Sequence, residues 1–207
     1  MKNMKILCIA ISAFIFSSLA AVAQKGTLQM NLSYNYGIPL GAFKSDVVKD
    51  NSPRGGRGSI MYSFSDRLSG GFESGYQDYY QKYPRNMYQL SGSQEVSAVL
   101  TNSIQTTPLL LKAKCFLLPT APVKPYVSLG AGANMINFKQ YLGEFGSGQT
   151  NVGFLAQGGV GLIIPFSKYG SSGINVGASY EYAPYKKNGY DNLNSMNLHA
   201  GVVFPIR

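Results

Sequence analysis

Residues 27–38 read T-L-Q-M-N-L-S-Y-N-Y-G-I, with apolar and polar side chains alternating almost without a break. Leu28, Met30, Leu32, Tyr34, Tyr36 and Ile38 share one side, and Gln29, Asn31, Ser33, Asn35 and Gly37 share the other. Successive side chains of a strand point to opposite faces, so this segment is predicted to be a strand with one greasy and one wet face. Similar runs recur at 57–64, 68–77, 106–118, 125–137, 152–164, 174–182 and 195–206. The run at 106–118 alternates least well. Leu109, Leu111, Ala113, Cys115 and Leu117 fall on one face, while Leu110 and Phe116 share the other with Lys112 and Lys114.

The connections between these eight runs alternate between long and short. Residues 65–67, 119–124 and 165–173 are turns rich in Ser, Pro and Gly, whereas 78–105 is a long polar stretch and 184–193 a polar loop. An even strand number with long loops on one side and tight turns on the other is the arrangement of barrels that cross a bilayer. Several of the runs are close to the ~9–11 residues that a tilted spanning strand needs. The fold class predicted is all-β, an eight-stranded antiparallel up-and-down transmembrane β-barrel with long loops outside and both termini in the periplasm. Tyr34, Tyr36, Tyr76, Phe154, Tyr180 and Tyr182 would form an outer aromatic girdle. Tyr62, Phe64, Phe166 and Phe204 would form the inner one. Rings of this kind favour the two bilayer interfaces.

The first 23 residues change the setting. Lys2 and Lys5 precede an apolar core at 6–19, and Ala21-Val22-Ala23 forms an A-x-A-like cleavage site. That is the pattern of a cleavable secretory signal, and its core is too short for a spanning helix. The expected organisation is a signal peptide at 1–23 and a barrel domain at 24–207, exported to the Gram-negative outer membrane. Charged residues make up only 13% of the chain, with 24 glycines and 15 tyrosines. This composition suits a wall facing lipid around a narrow interior crowded with small side chains. A soluble lipocalin-like barrel or a β-sandwich would need a charged outer face, which the polar Gly, Ser, Asn and Gln positions do not supply.

Formal net charge is +9. The cations are scattered over loops and turns without a basic stripe, so nucleic acid is not an expected partner. Outer-membrane lipids, surface polysaccharide or a protein ligand reached through the loops are. A monomer is the expected state. Cys115 is the only cysteine left once Cys8 leaves with the signal, which excludes an intramolecular disulfide and a thiol metal cluster. No metal or cofactor is expected.

The chain resembles the outer-membrane β-barrel domain family, the small porin-like barrels of OmpA/OmpX type. The resemblance rests on Y-N-Y-G-I-P-L-G at 34–41, P-Y-V-S-L-G-A-G-A at 125–133, G-G-V-G-L at 158–162 and L-H-A-G-V-V-F at 198–204. It spans residues 26–207 and implies a fold and a location more than an activity. The terminal Pro205-Ile206-Arg207 departs from the aromatic ending of many members.

Arg57, Glu73, Lys112, Lys114 and Glu181 have inward parity. Charges in a narrow lumen need partners, so mixed signs predict an ion network, acting either as a plug or as a gated polar pathway. His199, the sole histidine, is also inward and is expected to be a hydrogen-bonded lumen residue, with a lipid-modifying active site as the rival. Tyr79, Tyr80, Lys82, Tyr83, Arg85 and Tyr88 lie in the long stretch 78–105. Tyrosine and arginine anchor many interfaces, so this segment is the candidate partner-binding loop, with a shielding loop as the alternative. The expected role is structural or adhesive, without chemistry, and a narrow channel is the second reading.

Overall fold

The computed structural model describes residues 26–89, 95–142, 145–167, 172–187 and 190–206. The expected signal at 1–23 lies outside the described residues. Eight strands close into one antiparallel barrel: β1 (Leu28–Pro39), β2 (Ser52–Ser63), β3 (Leu68–Lys82), β6 (Leu100–Phe116), β7 (Lys124–Leu142), β8 (Phe145–Pro165), β9 (Gly173–Tyr182) and β12 (Ser195–Ile206). Each pairs with its neighbour in chain order, and β1 closes on β12 from Leu28↔Ile206 to Pro39↔Ser195. Closure leaves no sheet edge, so every strand's backbone groups can be paired without water.

Alternation decides the faces. Leu32, Phe72, Leu111, Leu129, Val152, Val160 and Leu198 project outward and stay exposed, while Asn31, Asn35, Glu73, Gln77, Asn134, Asn175 and Asn197 are buried inside. An exposed apolar wall around a buried polar interior inverts a soluble fold and fits a barrel solvated by lipid. Tyr34, Tyr76, Phe154, Tyr180 and Tyr182 are exposed toward the rim that carries the long connections, here the outer rim.

The wall is uneven in height. β7 and β8 run 19 and 21 residues, against 12, 10 and 12 for β1, β9 and β12. A tilted strand crosses a bilayer in ~9–11 residues at ~3.3 Å each, so the taller side stands on the order of 20 Å beyond the lipid. This corrects two expected loops. Residues 78–105 are largely strand: β3 continues to Lys82, β6 begins at Leu100, and a small hairpin of β4 (Asn86–Gln89) and β5 (Glu95–Ala98) lies between. Residues 184–193 likewise carry a small hairpin, β10 (Pro184–Lys187) with β11 (Tyr190–Asn192). The propensity reading ended these strands where outward apolar residues gave out, but cross-strand pairing continued past the membrane boundary.

The interior is not polar throughout, which is a second correction. After β1 the chain makes one π-helical turn, Phe43–Val47. Phe43, Val47 and Val48 are fully buried against Tyr79, Ile104, Leu110, Ile136, Leu155, Ala183, Tyr185 and Leu193. The turn and the β10–β11 hairpin together fold over the barrel mouth, with β11 against the turn and β10 against β8. An apolar stopper thus fills the outer part of the lumen.

Candidate functional site

The inward residues of β3 mark successive levels of the interior. Glu73 is the centre of the ion network. Its Oε1 accepts from Arg57 Nη1 at 3.2 Å and from Gln157 Nε2 at 3.2 Å, and its Oε2 accepts from Lys112 Nζ at 2.7 Å. Arg57 Nη2 also binds Glu181 Oε1, which accepts from Gln157 Nε2 at 3.1 Å. Ser195 Oγ donates to Glu181 Oε2 at 3.4 Å. Arg57, Glu73, Lys112 and Glu181 come from four different strands, so the network ties opposite walls of the barrel together.

Lys114 stands apart from this network. It is buried to 4% exposure, and its ammonium lies 5.0 Å from the centre of the Tyr126 ring. Among the described residues no carboxylate pairs with it. Tyr126 Oη in turn donates to Asn175 Oδ1 at 2.8 Å and sits 3.2 Å from His199 Nε2. His199 therefore faces a phenol, and among the described residues no carboxylate is hydrogen-bonded to its ring.

One level outward, side-chain amides cross the lumen. Asn35 Nδ2 donates to Gln77 Oε1 at 2.8 Å and to Asn197 Oδ1 at 3.0 Å, and Gln77 Nε2 donates to Ser52 Oγ at 2.8 Å. Above this layer Tyr79 is 2% exposed and meets Phe43 edge-on, ring centres 4.8 Å apart. Gly37 makes room for it, since a Cβ there would lie 2.6 Å from the Tyr79 hydroxyl. A cavity beside the ion network has room for about 10 Å³, on the order of one water. Among the described residues the ion network, the amide layer and the apolar stopper each cross or fill the lumen at a different level.

The expected partner-binding residues divide. Tyr79 points into the lumen and is no surface residue, because it continues the inward parity of Glu73 and Gln77. The Tyr83 hydroxyl donates to the Val47 carbonyl at 3.4 Å, against the stopper. Tyr80, Lys82 and Arg85 are exposed. Tyr88 belongs to β4, and its side chain is outside the described part of the structure. Sequence reasoning missed Arg54, whose guanidinium carbon lies 5.2 Å from the Tyr80 ring centre and whose Nη1 is 3.5 Å from Asp78 Oδ2. The register between β1 and β2 slips between Asn35↔Gly55 and Gly37↔Ser52, so β2 bulges at Pro53-Arg54. A bulge re-aims its side chains, and proline is tolerated there because its missing N–H costs no ladder bond.

The outer membrane protein beta-barrel domain family matches residues 6–204. The chain belongs to this family. No curated protein matches it in sequence. Among solved structures, Neisserial surface protein A (NspA) is 19% identical at a TM-score of 0.48, with 87% of this chain and 97% of that one covered. The N-terminal β-barrel domain of Pseudomonas aeruginosa OprF is 17% identical at 0.47, covering 88% and 100%. Ail, the attachment invasion locus protein of Yersinia pestis, is 17% identical at 0.44, covering 86% and 97%.

Proposed function

We propose that this outer-membrane barrel is a closed structural element that acts by binding at its outer rim, neither conducting solutes nor making or breaking bonds. The observation that carries this reading is the contrast between a lumen filled at successive levels and an exposed basic-aromatic face at the outer ends of β2 and β3. Arg54 is stacked on Tyr80, and Lys82 and Arg85 are exposed on the same hairpin. Lys44 and Lys49 are exposed on the neighbouring β1–β2 connection. A guanidinium held on a ring is already ordered, so it loses less entropy when it meets a ligand. Anionic surface polysaccharide, or an acidic protein surface, is the partner chemistry that suits it. Export through a signal cleaved after Ala23 is part of the same reading.

The test is retention of whole cells, or of the purified barrel in nanodiscs, on immobilised dextran sulfate. The Arg54→Ala/Tyr80→Ala/Lys82→Ala/Arg85→Ala variant should keep its heat-modifiable gel mobility and lose most retention. Equal retention by a folded variant would remove this face from the function.

A further inference from the structure

The ion network does not balance its charge. Arg57, Lys112 and Lys114 face two carboxylates, Glu73 and Glu181. Every oxygen of both carboxylates already accepts from at least one of Arg57, Lys112, Gln157 and Ser195. Lys114 makes no ion pair among the described residues; its ammonium rests on the Tyr126 ring, and Glu73, already paired with Arg57 and Lys112, acts on it only from a distance. The walls of the 10 Å³ cavity include Lys114, Lys112, Arg57, Ser33 and Ser179; Glu73 reaches it too, with its oxygens already engaged, as does Gln157, whose Oε1 has no hydrogen-bond partner among the described residues. The hydroxyls of Ser33 and Ser179 make no hydrogen bond to another described residue. A buried ammonium and two free hydroxyls therefore line one small cavity.

We propose that this cavity is a halide site, occupied by a single chloride held by Lys114 with hydrogen bonds from Ser33 and Ser179. A water would satisfy the donors but leave one positive charge uncompensated in a low-dielectric interior, which is costly. An anion supplies both the acceptor and the charge. Space for about one water-sized particle admits a monatomic anion and excludes phosphate, sulfate or a carboxylate. The chloride completes the plug, turning a cluster with net charge +1 into a neutral one.

The test uses the full barrel refolded in detergent. Replacing gluconate with chloride or bromide at constant ionic strength should raise the midpoint of the heat-modifiable transition, because a ligand that binds only the folded state stabilises it. Lys114→Gln should abolish that shift, and Ser179→Ala should reduce it. Crystals of the wild type grown in bromide should show an anomalous peak beside Lys114 Nζ, which keeps the idea testable if Lys114→Gln does not fold. A cavity without anomalous signal, or a halide shift unchanged in folded Lys114→Gln, would overturn the proposal.

Discussion

Arg57 and Glu73 are not register partners: Arg57 lies opposite Gly75 and Glu73 opposite Ser59, yet the guanidinium leans diagonally to reach the carboxylate at 3.2 Å. The diagonal lets one guanidinium serve Glu73 and Glu181 together. Removing it leaves buried Glu181 without an ion-pair partner and Glu73 with Lys112 alone. Arg57→Met should therefore destabilise the barrel by about 3–5 kcal/mol, read as a lower urea midpoint for refolding into lipid vesicles. The double variant Arg57→Met/Glu181→Gln should recover part of that loss. No recovery would mean that the arginine acts by packing alone.

The same diagonal depends on Gly75. A Cβ there would lie 2.7 Å from Arg57 Cγ and 2.6 Å from the Gly56 carbonyl oxygen, a backbone atom that cannot swing away. Gly75→Ala should cost about 1–3 kcal/mol through overpacking. Gly148→Ala is the control. Its Cβ would meet nothing closer than 3.7 Å, so its urea midpoint should match the wild type.

Most of the barrel was legible because lipid imposes a period of two on every spanning strand. β12 was read at its observed bounds, 195–206, and β1 and β9 to within one residue at each end. Beyond the membrane that constraint lapses, and the reading lapsed with it. Inward parity, carried on from Glu73 and Gln77, would have placed Tyr79 inside. The stopper was harder to see. Phe43, Val47 and Val48 are isolated apolar residues in a polar connection, and only the i, i+4, i+5 spacing hinted at a single helical turn with one buried face. Arg54 was invisible for another reason: a bulge has no signature in alternation, and it alone brings that side chain onto Tyr80.

The layered interior has a consequence for transport. Deleting the apolar stopper should not open a pore, because the amide layer and the ion network still cross the lumen beneath it. Residues 43–48 replaced by a Gly-Ser linker should remain without single-channel current in planar bilayers, as should the wild type. Stable openings in the linker variant alone would show that the stopper is the gate and that the polar layers are wet.

Sidedness follows from the uneven wall. The long hairpins and Arg85 belong to the outer rim, while Arg67 sits in the tight β2–β3 turn at the opposite end. Long connections face the cell exterior and tight turns the periplasm in barrels of this kind. Cys115 is exposed on the lipid-facing wall, so single cysteines are best placed in a Cys115→Ala background. In whole cells a membrane-impermeant maleimide should label Arg85→Cys and leave Arg67→Cys unlabelled until the outer membrane is opened. Both sites lie outside the spanning ladder, so neither substitution should disturb folding, and heat-modifiable mobility checks this on the same gel. The reverse labelling pattern would invert the barrel, and the basic-aromatic face would then have to find its partner in the periplasm.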